Sequence, residues 1–176
     1  ELNENEIIKF ENSIKISNLR FKFKGSDKEI LNISNLEIKK GEKIGIIGPS
    51  GSGKSSLINL ILGFLKPSTG EIKVDGKNIK NNLLGWSKNI GYVPQEIFFL
   101  DDKISNNIAF GVDEKKININ KLKRSLEISN LVDFVNSCDA GVDTVIGNKA
   151  LKISGGQRQR IGIARAIYNT PSLLIL

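Results

Sequence analysis

The stretch Gly48-Pro49-Ser50-Gly51-Ser52-Gly53-Lys54-Ser55 carries residue types suited to phosphate. Its glycines let backbone N–H groups close around phosphate oxygens, and a helix starting near Gly53 adds the positive end of its dipole. The spacing G-x-x-x-x-G-K-[ST] lets Lys54 reach the terminal phosphates of a nucleotide as a point charge and offers the Ser55 hydroxyl as a Mg²⁺ ligand. Ser56 adds a further hydroxyl toward the α-phosphate.

A second stretch, Ser154-Gly155-Gly156-Gln157, opens a predicted helix that carries Ile161, Ala164, Arg165 and Ile167 and stops at Asn169-Thr170-Pro171. A serine hydroxyl and two glycine amides at a helix start can hold an anion, or Ser154 can simply cap the helix. Residue types leave both open. Gln95 follows the apolar run Ile90-Gly91-Tyr92-Val93 and Pro94, where a loop-end hydrogen bonder would also sit.

The elements that must position these residues follow from periodicity. Ile14-Lys15-Ile16 and Leu19-Arg20-Phe21-Lys22-Phe23 alternate as half-buried strands do, as does the run from Ile30 to Ile38. Leu19, Phe21 and Phe23 would share one strand face, which makes Phe23 a core candidate. Ile44-Gly45-Ile46-Ile47 reads as the strand feeding the glycine loop, and the helix after Lys54 ends near Gly63. Glu71 to Gly76 is a short strand ending in a D-G turn. From Ile97 to Ile153 the pattern turns helical, with Leu122, Leu126 and Ile128 spaced along one segment. Ser172 to Leu176 reads as a buried parallel strand, and residues 1–12 as a weakly ordered arm.

Composition narrows the function classes. The net charge is +7, but Lys and Arg are spread along the 176 residues instead of forming one stripe, which argues against nucleic acid. The longest apolar run, Leu57 to Leu65, is interrupted by Asn59 and falls short of the ~20 residues of a membrane span. With no histidine and only Cys138, a zinc site is not expected, and a reducing compartment fits. The absence of methionine and the start at Glu1 suggest a piece of a longer chain.

In this order and at these separations, the glycine loop, Gln95, the helical segment, Ser154 to Gln157 with Arg158-Gln159-Arg160, and a closing apolar strand resemble the nucleotide-binding domain of ABC transporters. The resemblance covers about residues 13–176. It makes Gly48 to Ser55 the Walker A motif, Gln95 the Q-loop glutamine, Ile153 to Gln157 the signature motif and Leu173 to Leu176 the apolar half of Walker B. Ser105 to Gly111 and Asp143 to Gly147 are similar to the exporter branch, which includes multidrug, lipid and lipid-linked oligosaccharide transporters. Asn148 and Ala150 depart from the glutamate and glycine often found there.

The implied fold is α/β: a P-loop NTPase core with an N-terminal antiparallel β-subdomain and an inserted α-helical subdomain. The implied divisions are a linker arm (1–12) from a membrane domain on the same polypeptide, a β-subdomain and P-loop core (13–96), a helical subdomain (97–153), and the signature helix with the start of Walker B (154–176). The implied ligands are ATP and Mg²⁺, the latter held by Ser55 and Gln95. Phe23 takes the place of the aromatic residue that stacks on adenine. Lys54, Gln95 and Ser154 would serve hydrolysis, with Ser154, Gly155, Gly156 and Gln157 acting on the ATP of a second nucleotide-binding domain in a head-to-tail dimer. Such a motor works at the cytoplasmic face of the inner membrane. The alternative is a soluble ABC-type ATPase acting on nucleic acid or ribosomes. In the family an aspartate and a glutamate follow the apolar Walker B strand, and the sequence stops at Leu176. Residues 1–176 are therefore expected to bind nucleotide but hydrolyse it poorly; turnover equal to that of a chain extended past Leu176 would contradict this.

Overall fold

The computed structural model describes residues 7–147 and 153–176. They divide into two compact units at Asn89/Ile90. The departures noted at Asn148 and Ala150 lie outside the described residues.

In the first unit, β1 (Ser13–Phe21) lies between β2 (Leu31–Lys39) and β3 (Thr69–Val74), and β4 (Lys77–Asn78) pairs with β3, giving an antiparallel order β2-β1-β3-β4. The two alternating runs read from the sequence form one strand with an irregularity between Ser17 and Arg20. Asn18 adopts φ 48°, the left-handed region that asparagine tolerates, and the extra residue switches the buried set from Ile14 and Ile16 to Leu19 and Phe21. The D-G turn joins β3 to β4 with Asp75 at φ 47° and Gly76 at φ 82°, both left-handed as a two-residue hairpin turn requires.

Helix α1 (Lys54–Leu62) buries Leu57, Leu60, Ile61 and Leu62 and ends at Gly63, whose φ of 80° lets its N–H return to the last turn. Helix α2 (Leu83–Ser87) is capped by Asn82, whose Oδ1 accepts from the Gly85 N–H at 2.7 Å. The buried Trp86 donates its Nε1–H to the Ile61 carbonyl at 2.7 Å, tying α2 to α1. The run Ile44 to Ile47 differs from expectation. Among the described residues no strand pairs with it, and Ile47 is 97% exposed. A strand needs a ladder partner to satisfy its backbone groups, and apolar sequence alone does not supply one.

The second unit holds β5 (Ile90–Tyr92) parallel to β8 (Leu173–Ile175), and the two-residue pair β6 (Asp102–Lys103) and β7 (Val145–Ile146). Its helices are α3 (Ile104–Ile108), α4 (Ile119–Ile128), α5 (Val132–Asn136) and α6 (Gly155–Ile167). Ile104, Ile108, Leu122, Leu126, Ile146 and Ile161 belong to one buried cluster. Gly91 is required beside α6, because a Cβ there would lie 2.3 Å from the Ala166 carbonyl oxygen. Ile128 does not join the α4 stripe and is 57% exposed. At about 100° per residue it points away from Leu122, and Ser125 and Ser129 fill the face, each donating its hydroxyl to the carbonyl four residues back.

Residues 7–12 are more firmly held than expected. Ile8 and Phe10 are buried, Lys40 Nζ donates to the Phe10 carbonyl at 2.8 Å, and the Asp75 carboxylate accepts the backbone N–H groups of Glu11, Asn12 and Ser13 at 2.6–3.2 Å. Partial burial opposes the Asp75 charge, but those N–H groups outweigh it and hold the carboxyl below its ordinary value. A depressed carboxyl stabilises the fold above its unfolded pKa of about 3.9 and loses that contribution as pH falls through the folded value. Asp75→Ala should therefore speed amide exchange of residues 10–13 at pH 7, and its difference from wild type should shrink below about pH 4. Equal exchange at pH 7 would contradict the strap.

Candidate phosphate-binding site

The glycine loop turns directly into α1, and the start of that helix is bare. Gly53 occupies the N-cap position at φ 92°, no side chain caps the helix, and no acidic residue stands in its first turn. The first N–H groups of the helix are thus left to an external acceptor. A side chain at Gly53 is doubly barred: its φ is left-handed, and a Cβ would lie 2.8 Å from Leu31 Cδ2 and 3.2 Å from the Ile30 carbonyl oxygen. Gly51 takes φ 77°, and a Cβ at Gly48 would meet Ser52 Oγ at 2.8 Å. Pro49 accepts the Ser52 N–H at 3.3 Å, which closes the loop, while Ser50 and Ser55 are exposed and Ser56 is half-buried.

Lys54 shows where a charge is needed. Its ammonium donates to the carbonyls of Gly48 and Pro49, both at 2.8 Å, so the chain curls around its own cation. Carbonyl dipoles are weaker acceptors for an ammonium than an ionised phosphate, and an arriving phosphate can take those protons over. Bare amides, a central ammonium and an accessible Ser55 hydroxyl fit both a phosphate chain and a Mg²⁺ that keeps most of its ligands from water and phosphate. Among the described residues no cluster of His, Cys, Asp or Glu could hold a metal by itself.

Phe23 does not join the core. Leu19 and Phe21 are buried, whereas Phe23, two residues past the end of β1, is 49% exposed and meets Phe21 edge to face at 5.0 Å. Its strand end reaches the loop through Ile30, whose N–H donates to the Phe21 carbonyl at 2.8 Å and whose own carbonyl borders Gly53. A cavity of about 700 Å³ opens beside Phe21 and Phe23, but Leu65, Lys66 and Ser68 line it. These residues lie past the far end of α1, so the cavity is separate from the loop that fits phosphate.

Ser154 caps α6. Its Oγ accepts the Gln157 N–H at 3.2 Å, and the Gln157 Oε1 accepts the Ser154 N–H at 2.8 Å, a reciprocal capping box. Capping and anion binding remain compatible. An accepting hydroxyl keeps its own proton to donate, and the amides of the exposed Gly155 and Gly156 stay unspent at the helix start.

Gln95 is exposed in the loop after β5. The residues following it are fixed by two groups that sequence reading did not single out for such a role, Arg165 and Asn107. Arg165 donates from Nε to the Asn107 carbonyl at 2.8 Å, from Nη1 to the Phe98 carbonyl at 2.8 Å and from Nη2 to Asn107 Oδ1 at 3.2 Å. Burial alone draws its pKa below the ordinary guanidinium value. Asn107 is fully buried; its Oδ1 accepts from the Leu100 N–H at 3.0 Å, and its Nδ2 donates to the carbonyls of Leu100, Asp102 and Lys103. The available signal was Arg165 itself, a charge set among the buried Ile161 and Ala164 of α6 and the Tyr168 that follows it.

The residues just before the first exporter-like stretch meet the second. The Ile104 N–H donates to the Thr144 carbonyl at 2.9 Å, and Lys103 forms ion pairs with Glu114 and, at 3.2 Å, with Asp143. The carboxylates of Asp102 and Asp113 are engaged as well. Asp102 accepts from Asn106 Nδ2, and Asp113 from the Lys115 N–H.

The ABC transporter family matches residues 31–176. The chain is 37% identical over 165 residues to the ATP-dependent lipid A-core flippase of Ralstonia nicotianae, covering 93% of this chain and 28% of that protein. It is 40% identical over 163 residues to the leukotoxin translocation ATP-binding protein LktB of Mannheimia glucosida, covering 92% of this chain and 23% of that one. A solved bacterial Atm1-family ABC exporter with ATP bound superposes with a TM-score of 0.87 at 31% identity, over 99% of this chain and 30% of that chain. The chain thus spans under a third of the length of these relatives. With this match over residues 31–176 and the P-loop NTPase fold, the chain belongs to the ABC transporter family.

Proposed function

We propose that this chain is the ATP-binding and ATP-hydrolysing motor of an ABC-type exporter. The observation that carries the reading is the uncapped start of α1, with Lys54 held over the carbonyls of its own loop. Gly48, Pro49, Ser50, Gly51, Ser52 and Gly53 shape the phosphate cradle, Lys54 neutralises the terminal phosphates, and Ser55 and Ser56 supply hydroxyls. Phe23 offers a half-exposed ring to adenine. Bound Mg²⁺, liganded by Ser55 and Gln95, would neutralise charge on the phosphates.

Hydrolysis asks this chain's residues to orient water and oppose developing charge. Gln95 orients the water, and Ser154, Gly155 and Gly156 of a second nucleotide-binding domain donate to the terminal phosphate in a head-to-tail dimer. Nucleotide then favours the paired state and hydrolysis releases it, because the contacts differ between the two. Asp102, Asp113 and Glu114 are already engaged by Asn106, the Lys115 N–H and Lys103, and none of them is assigned the role of base. On this reading the motor works with a membrane domain on the same polypeptide, at the cytoplasmic face of the inner membrane. Among the described residues no helix is long and apolar enough to cross a membrane. The nucleic-acid alternative draws no support from the flippase, the translocation protein or the exporter structure.

Equilibrium binding of Mg-ATP tests the reading. Lys54→Ala should weaken binding roughly 10- to 100-fold, the scale of lost charge-assisted hydrogen bonds. Phe23→Ala should weaken it by about tenfold, with Phe23→Tyr near wild type. Wild-type affinity in Lys54→Ala would overturn the site.

A further inference from the structure

The loop after Gln95 is fastened to α6 at successive points. Ile97 lies against Gly162, where a Cβ would come within 2.5 Å of Ile97 Cδ1 and would push the isoleucine tip aside. Arg165 takes the Phe98 carbonyl at 2.8 Å. Phe99 sits beneath two guanidinium groups of the same helix, Arg158 at 5.2 Å and Arg165 at 5.4 Å from its ring centroid. Leu100 is held at both backbone groups by the side-chain amide of Asn107, and Arg165 in turn holds that amide. Burying a guanidinium costs desolvation that an apolar residue would avoid, and its fork supplies directional bonds in exchange. The bonds it makes fix the distance between two specific places: the segment immediately following Gln95, and the helix whose first residues are Ser154, Gly155 and Gly156.

We propose that Arg165, acting with Asn107, is a positioning residue for ATP hydrolysis that locks the Gln95 loop to the signature helix and so holds Gln95 toward the nucleotide of its own chain. The inference rests on the role given above to Gln95. It assigns no contact with ATP to Arg165. Lysine at this position keeps the charge and the stem but cannot span the carbonyls of Phe98 and Asn107 with one rigid fork.

A double-mutant cycle on kcat in the full-length protein tests this: wild type, Arg165→Lys, Gln95→Ala and the double variant. The expected result is that Arg165→Lys lowers kcat about tenfold with KM for ATP changed less than about twofold, as for a misplaced group that does not bind substrate. The double variant should then match Gln95→Ala alone, because the lock has nothing left to position. An equal Arg165→Lys loss in both backgrounds, or none in either, would overturn the proposal while leaving Gln95 its role. A wild-type kcat in Gln95→Ala would remove that role and the proposal with it. Amide exchange separates positioning from general loosening. Arg165→Lys should speed exchange over residues 96–100 and leave β1 and β3 unchanged; a rise shared by β1 and β3, or no rise at Leu100, would also overturn it.

Discussion

A helix that keeps its first N–H groups unpaired must find them an acceptor, and that requirement organises the first unit. Gly53 gives α1 its start without a side chain to cap it, and its left-handed φ is compatible with glycine alone in the space left by Leu31 and Ile30. The loop cannot relieve the helix from within, because its remaining polar groups are the exposed serines and the carbonyls that Lys54 already occupies. The second helix start on the chain is built the opposite way. Ser154 and Gln157 satisfy each other's backbone, leaving a hydroxyl proton and two glycine amides as a weaker, complementary donor set. One helix start is left bare, and the other is capped by its own side chains.

Much of this was legible from residue types because it is local. The glycine loop, the Gly63 stop, the Asp75-Gly76 turn and the Ser154 cap each depend on the conformational needs of a few adjacent residues. What was not legible depends on residues far apart in sequence. The run Ile44 to Ile47 has strand composition but finds no ladder partner among the described residues. The switch of buried face within β1 turns on the left-handed φ of Asn18, which composition does not announce. Once the face has switched and the strand has ended at Phe21, Phe23 is free of the core that simple alternation would have given it.

The site itself divided along the same line. Lys54, Ser55 and the glycines follow from spacing, whereas the hold on the Gln95 loop joins Asn107 to Arg165 across 58 residues. A buried asparagine that satisfies four backbone groups of its own segment and one guanidinium has no short-range pattern. Only the charge interrupting the apolar face of α6 pointed to it.

In the proposed motor one ATP is closed between Lys54 of one copy and Ser154 of another. The most direct test of this shared site uses two differently tagged copies of the full-length protein, purified as mixed dimers, with ATP hydrolysis as the readout. Lys54→Ala on one copy and Ser154→Arg on the other concentrate both defects in a single composite site and should preserve activity at the intact one. Both substitutions on the same copy spoil both sites and should abolish it. The reverse outcome, activity only when one copy carries both changes, would show that each chain closes on its own nucleotide and would rule out the shared site.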